Sequence, residues 1–259
     1  MEERQKARRR FAVVLAIWLF LMFIPTTARP WFMGTASWRW FLEYLSVRYV
    51  YRSGQPPPEG QYLYLLMPHG LYPFSGACAG LSSLRDVFPR MRIAAADVAF
   101  RVPLIRQLLG WIGSIRADKG SIAKALKNGD SVGLFPGGIA EMVRTDANTE
   151  RLLLRSRKGI VKIAMEHKVP LVPVYVFGQS VLWSHLPLPA FVERLSRWLQ
   201  ASIIVPYGRF GLLVPQKKPL LYAIGDPIPP GDNVDATHQA VIAAVQGLYD
   251  AYKGMYGWQ

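Results

Sequence analysis

An α/β sandwich built on a mostly parallel sheet is the fold this chain of 259 residues predicts. Two observations carry the expectation. Short, nearly continuous apolar runs at residues 62–67, 92–96, 131–135, 171–177 and 220–224 read as strands buried on both faces. Between and after them, apolar residues recur at helical spacing over 102–109, 121–128, 158–167 and 236–252, so strands and helices alternate, as they do when crossover helices join parallel strands. The length suits one sizeable core once an apolar N-terminus is set aside. The expected division is therefore residues 1–54, a basic N-terminus and membrane-embedded segment, followed by a single catalytic domain over 55–259.

The first element follows from an uninterrupted apolar tract. Residues 11–24 are fourteen apolar positions in a row, extended through Pro25, Thr26, Thr27 and Ala28 to an uncharged stretch that ends at Arg29. A bilayer core of about 30 Å asks for roughly 20 helical residues, so this segment either crosses once or enters and returns with the aromatic stretch 31–45. Trp18, Trp31, Trp38, Trp40 and Tyr44 suit the headgroup level. A cleavable signal peptide has the same basic-then-apolar order, but no small-x-small cleavage site follows here, and the retained anchor is the expectation. Lys6 and Arg8 to Arg10, counted as cytoplasmic, put the tail in the cytosol.

Composition narrows the partners. The chain carries 31 Lys+Arg against 17 Asp+Glu, a formal charge of +14, which suits nucleic acid, an anionic membrane surface or an acidic substrate. Aromatic content of 12% and long apolar tracts favour the membrane over nucleic acid, since the only basic run lies directly before the apolar one. The single cysteine, Cys78, excludes an internal disulfide framework and a cysteine-based metal cluster. It lies between small residues with no charged neighbour to activate it, and reads as a packing residue. His167, His185 and His238 have no metal-ligand spacing and read as structural or surface residues.

After the stiff linker Gln55-Pro-Pro-Pro-Glu-Gly60, the first core strand runs into Pro68-His69-Gly70. Open α/β sheets place their chemistry at strand ends, and an imidazole on a tight turn there can take a proton from a hydroxyl and return it to a leaving group. A lone histidine is also commonly structural. Phe135-Pro136-Gly137-Gly138-Ile139-Ala140-Glu141 is a second strand-to-turn junction, whose glycines let backbone N–H groups approach a phosphate or an oxyanion. It lacks the Lys-Ser/Thr of a nucleotide-binding loop, which leaves Glu141 either to orient His69 or to cap a helix. Arg155-Ser-Arg157-Lys158-Gly159 leads into a helix pattern and is either a solvated face or a holder of phosphates. Gly129-Asp-Ser131-Val-Gly133 matches the serine-hydrolase pattern G-x-S-x-G, but that motif needs strand, turn and helix in that order. Here a helix precedes and a strand follows, so Gly129 reads as a helix end and Ser131 as a strand start. The aromatic segment 183–210 reads as an insertion or a lipid-facing lid.

Taken in order, these blocks resemble the diacylglycerol acyltransferase type 2 family, which includes monoacylglycerol and wax-alcohol acyltransferases. Met67-Pro68-His69-Gly70 is similar to the family's His-Pro-His-Gly block, and Phe135 to Glu141 to its Pro-Gly-Gly block with a downstream Glu. Arg155 to Ile160 with Ala164, Leu171-Val-Pro-Val-Tyr-Val-Phe-Gly178, and the C-terminal Leu213-Val-Pro, Gly225-Asp-Pro-Ile228 and Tyr252 to Gly257 continue the likeness in register. Each block alone is weak, but their shared order over residues 63–257 is specific. Two departures stand out: Met67 replaces the usual leading histidine, and Gln179 replaces a common Glu after Phe-Gly, which removes the expectation of an acid there. Phe74 stands five residues after His69, where the wider glycerolipid acyltransferases carry the Asp of His-x4-Asp and the type 2 branch does not.

The resemblance implies a glycerolipid-acyltransferase-like sandwich and an acyl-CoA-dependent O-acyltransferase, with diacylglycerol as first acceptor. Monoacylglycerol or a wax alcohol are the alternatives, and a non-catalytic lipid-binding member on droplets is the rival from another class. It implies His69 as general base with Glu141 holding its imidazole. Gly70, Gly137 and Gly138 would be the turn donors for the oxyanion, and Arg155, Arg157 and Lys158 would hold the phosphates of CoA. Acyl-CoA is a co-substrate, and no cofactor or metal is implied. The implied setting is the endoplasmic reticulum membrane and the lipid-droplet surface, with the catalytic domain facing the cytosol, no nucleic acid, and room for a homo-oligomer.

Overall fold

The computed structural model describes residues 2–138, 141, 152–186 and 205–258. Its strands in chain order are β1 (Arg48–Tyr51), β2 (Leu63–Met67), β3 (Met91–Ala95), β4 (Ile115–Arg116), β5 (Ser131–Leu134), β6 (Leu171–Phe177), β7 (Ser184–His185), β8 (Pro206–Tyr207) and β9 (Leu221–Ile224). The helices are α1 (Glu2–Phe23), α2 (Pro30–Met33), α3 (Ala36–Tyr44), α4 (Phe74–Ala79), α5 (Ile105–Trp111), α6 (Lys119–Lys127), α7 (Gly159–His167) and α8 (Val234–Tyr256).

Among the described residues, seven strands form one sheet in the order β1-β9-β6-β2-β5-β3-β4. β6, β2, β5, β3 and β4 are mutually parallel, β9 runs antiparallel to β6, and β1 lies parallel to β9. The sheet is thus mostly parallel with an inverted pair at one edge. All five predicted strands are present within a residue or two, and the four predicted helices correspond to α5, α6, α7 and α8.

The strands are apolar throughout because both faces are covered. On one face, Leu63, Leu65, Met67, Val132, Leu171, Tyr175 and Phe177 pack with Ile122 and Leu126 of α6, Val161 and Ala164 of α7, and Val241, Val245 and Leu248 of α8. Residues of opposite parity, Tyr64, Leu66, Val172, Val174 and Val176, meet Cys78 and Ala79 of α4, Phe88 and Leu45 on the other. This is the period-two alternation of a pleated strand between two apolar layers. Asp118 caps α6 by accepting from Ser121 N at 2.8 Å, and Asn233 caps α8 through the N–H groups of Asp235 and Ala236.

The N-terminus is joined to this body more closely than the division at residue 54 implies. β1 is an edge strand of the main sheet, Leu45 is fully buried, and Tyr44 OH donates to Pro215 O at 2.8 Å. α1 projects with its apolar half exposed, Phe20 and Phe23 among the most accessible. Its C-terminal carbonyls are capped from α5: Arg106 Nη1 donates to Met22 O at 2.6 Å, Gln107 Nε2 to Leu21 O, and Trp111 Nε1 to Pro25 O at 3.1 Å. No helix among the described residues is long and apolar enough to cross a membrane. The apolar part of α1, residues 11–23, spans about 20 Å at about 1.5 Å per residue, short of the roughly 30 Å of a bilayer core. Of the aromatic segment 183–210, the two ends pair as the β7–β8 ribbon, and residues 187–204 lie outside the described residues.

The serine-hydrolase pattern resolves as structure. Gly129 takes φ +75° just past α6, where the helix ends, and Ser131 opens β5. Ser131 is buried, and its Oγ accepts the N–H of Tyr62 at 3.1 Å. Ser131→Ala should therefore cost stability by about 1–3 kcal/mol, because a buried N–H loses its partner, while leaving turnover per folded molecule intact. Denaturant unfolding beside a rate normalised to folded protein checks both.

Candidate active site

β2, β5 and β6 lie side by side and parallel, so the turns after their C-terminal ends converge. These turns carry His69, Gly137-Gly138 and Gln179. The arrangement is dictated by topology: three neighbouring parallel strands deliver three loops to one edge of the sheet.

His69 follows the cis Met67–Pro68 peptide at the end of β2. Its Nδ1 lies 2.8 Å from Gly70 O. A carbonyl only accepts, so Nδ1 carries the hydrogen and Nε2 is left as the lone-pair nitrogen of a neutral imidazole. Burial lowers the pKa of this ring, and the bond to Gly70 O opposes that in part. The ring meets Phe135 edge to face at a centroid distance of 5.5 Å.

Glu141 is 3% exposed. Its Oε1 accepts the backbone N–H of His69 at 2.5 Å, and its Oε2 accepts the backbone N–H of Leu153 at 3.2 Å. The expectation that Glu141 holds the imidazole therefore needs amending, since these contacts are to main chain and the ring's own hydrogen bond runs to Gly70. Burial pushes the Glu141 carboxyl up, and the two N–H bonds and the nearby Arg157 charge pull it back. Gly137 is required beside it, because a Cβ at that position would collide with the Glu141 carboxylate.

The residue that sequence reasoning set aside is Gln179, which is 1% exposed. Its Nε2 donates to His69 O at 3.2 Å and to Tyr72 O, and its Oε1 accepts from Ser75 N at 3.0 Å. One amide thereby satisfies three main-chain groups of the turn that carries His69. Gly70 has φ +64°, and a Cβ there would sit 2.9 Å from Gln179 Nε2. The legible signal was a polar Gln-Ser pair directly after a wholly apolar strand and a glycine. Met67, at the position of the family's leading histidine, is 1% exposed and packs in the core against the α6–α8 layer, away from any polar role.

Among the described residues, the N–H groups of Gly70, Gly137 and Gly138 donate no turn or loop hydrogen bond to main chain. Ile139 and Ala140 of the same block lie outside them. Arg155, Arg157 and Lys158 are exposed just before α7. Lys158 Nζ pairs with Asp235 at 2.6 Å, whereas Arg155 and Arg157 have no ion-pair partner among the described residues. Arg157 lies close enough to influence Glu141, so this run borders the site.

The remaining candidates stay apart. His238 Nε2 donates to Leu154 O at 3.0 Å in the core, and His185 is exposed on β7. Cys78 is buried, and burial pushes its thiol up to about 12.

A polar turn holding a histidine with a free Nε2, at the C-terminal edge of a sheet flanked by helices, defines a class: α/β enzymes able to activate a hydroxyl. The crystal structure of the 1-acyl-sn-glycerophosphate (LPA) acyltransferase from Thermotoga maritima shares the fold, with a TM-score of 0.53 at 14% identity over 83% of this chain and 76% of that one. The family model for diacylglycerol acyltransferase matches residues 9–259, and the chain belongs to that family. Similar relatives include 2-acylglycerol O-acyltransferase 1 of Bos taurus, 27% identical over 88% of this chain and 75% of the relative. Acyl-CoA wax alcohol acyltransferase 2 of Homo sapiens is 28% identical over 90% and 76%. Diacylglycerol O-acyltransferase 2 of Danio rerio is 27% identical over 88% and 70%.

Gln179→Leu keeps the side chain's bulk and removes all three hydrogen bonds. Misplacing a catalytic group by about 1 Å costs on the order of 10²-fold, so kcat should fall by about that factor, with KM for the acyl donor little changed. Steady-state kinetics on the folded variant decide it.

Proposed function

We propose that this protein is an acyl-CoA-dependent O-acyltransferase that acylates the free hydroxyl of a neutral lipid, diacylglycerol first among acceptors, with His69 as the general base. The observation that carries the reading is the His69 geometry: Nδ1–H held by Gly70 O, Nε2 free, and a pKa lowered by burial so that the ring is neutral near pH 7. Membership of the diacylglycerol acyltransferase family and the names of the relatives support the reaction class.

In the proposed step Nε2 takes the acceptor's proton as its oxygen attacks the thioester carbonyl carbon. The tetrahedral oxyanion is met by the N–H groups of the Gly70 and Gly137-Gly138 turns. The C–S bond then breaks and the CoA sulfur receives the proton from Nε2, so no acyl-enzyme forms. Glu141 and Gln179 are positioning residues that fix the turn bearing His69. Arg155 and Arg157 have charge to offer the CoA phosphates, and Lys158 would have to leave Asp235 or share it.

The exposed apolar half of α1 and the exposed Trp31 and Trp40 support a membrane-embedded N-terminus that enters one leaflet and returns, with the basic residues of α1 at the cytosolic surface. The endoplasmic reticulum and the lipid-droplet surface are the proposed locations, with the sheet facing the cytosol. Monoacylglycerol or a long-chain alcohol is the second acceptor class, supported by the similarity to 2-acylglycerol and wax alcohol acyltransferases.

Membranes of cells that make no triacylglycerol, given labelled acyl-CoA and diacylglycerol, should place label in triacylglycerol. His69→Ala should cut the rate by about 10²–10⁴-fold. Near-normal turnover in that variant would sink the base assignment, and no acyl-CoA consumption with any acceptor would favour a non-catalytic lipid-binding protein. The pH profile offers an independent check. A base with a depressed pKa is already deprotonated at neutrality, so kcat/KM should rise only through a pH below about 6.5 and stay flat above it.

A further inference from the structure

On the edge of the sheet opposite the one that carries His69, the N-terminal ends of β3 and β5 border a cavity of about 350 Å³. Its walls come from two parts of the chain. Ala28, Pro30 and Met33 belong to the segment just past α1, whereas Phe88 and Ile112 belong to the body. Met33, Phe88 and Ile112 are buried. The cavity is thus an apolar seam where the N-terminus meets the body, and its volume lies at the small end of ligand pockets, which run about 300–1,000 Å³.

Positive charge concentrates at this seam. Arg85, Arg90 and Arg92 all line it, and Asp130 is the one carboxylate among its lining residues. Arg92 Nε meets Asp130 Oδ2 at 3.2 Å and Arg90 Nη2 meets Oδ1 at 3.4 Å, so two guanidinium groups share one acid. Arg90 Nη2 also donates to Asn128 O at 3.0 Å, and Arg92 Nη1 to Gly113 O at 3.4 Å. Arg92 Nη2, Arg90 Nε and Nη1, and the whole guanidinium of Arg85 have no partner among the described residues. A planar guanidinium matches the oxygens of a phosphate, which takes several donors at once. Arg85 and Arg90 remain exposed, which lets such a phosphate stay partly hydrated. The apolar walls beside these donors suit an anion attached to hydrocarbon better than a free, fully hydrated one.

We infer that this cavity binds the phosphate of an anionic phospholipid drawn from the membrane that holds α1, with its glycerol and first chain carbons against Met33, Phe88 and Ile112. The inference takes the membrane-embedded N-terminus from the proposed function but not the acyl-transfer step. The lipid held here is not the acyl acceptor, because the site lies on the edge of the sheet away from His69 and shares no residue with the turns that carry His69, Gly137 and Gln179. It touches the N-terminal segment and the body at once, so a bound lipid stabilises their docking by mass action.

The test uses the full chain in phosphatidylcholine vesicles doped with a phosphatidylglycerol that carries a photoreactive group on the chain carbons next to its ester, followed by peptide mapping after illumination. Label should appear on residues 28–33 and 79–92, and phosphatidylcholine bearing the same group should not enrich there. Arg85→Gln, whose guanidinium has no partner to leave, should raise the lipid fraction needed for half-maximal labelling by about ten-fold, the worth of one charge-assisted hydrogen bond. Lys127→Gln, which removes an exposed cation on α6 outside the cavity, should leave that fraction unchanged. Label confined to α1, equal labelling by the two lipids, or an unchanged response in Arg85→Gln would each overturn the inference. Loss of the label when inorganic phosphate is added at the lipid's own concentration would mark a free-anion site and overturn the lipid assignment. The readout needs no turnover, so His69→Ala should label as the wild type does, and failure of the acyl-transfer reading would leave the result standing.

Discussion

Main chain that leaves a buried sheet must still find hydrogen-bond partners, and at the ends of β2 and β5 two buried side chains provide them. Glu141 ties the His69 N–H to the Leu153 N–H, and Gln179 ties the His69 and Tyr72 carbonyls to the Ser75 N–H. Neither residue holds the imidazole directly. Together they fix where its backbone sits, and Gly70 O sets the tautomer. This polar lacing gives the free nitrogen of the imidazole a single address, which the proposed proton transfer requires.

Much of this was legible in the residues. A parallel sheet covered on both faces demands strands that are apolar at every position, and β2, β5, β6 and β9 announce themselves that way. β1 and β4 did not, because an edge strand needs no continuous apolar run and β4 is only two residues long. α4 was hidden for a similar reason, its six residues, five of them small, covering less than two helical turns. His69, Glu141 and the two glycines could be singled out from turn chemistry. Their relation could not: Glu141 reaches the His69 main chain across a sequence separation of 72, and Gln179 reaches the same turn across more than a hundred residues. Local pattern cannot encode which of several polar groups meets a distant backbone.

Charge and hydropathy at the N-terminus pull in different directions along one helix. The first nine residues of α1 are dominated by charge and the rest by hydrocarbon, so the helix is polarised along its axis rather than around it. A helix polarised in this way fits an interface that is polar on one side and apolar beyond. Its far end is closed by Arg106, Gln107 and Trp111, which cap carbonyls at and just past the end of the helix that the helix itself cannot satisfy.

The inverted strand pair at the sheet edge gives this attachment a different meaning. β1 follows α3 directly and lies along β9, with the Leu220 N–H donating to Leu45 O just before it and the Arg48 N–H donating to Leu220 O. A chain cut after residue 54 would bare the edge of β9 that β1 now covers and remove the buried Leu45 from the core beside it. The lead segment is thus a wall of the building. Trimming it would expose that strand edge to water and invite edge-to-edge association there.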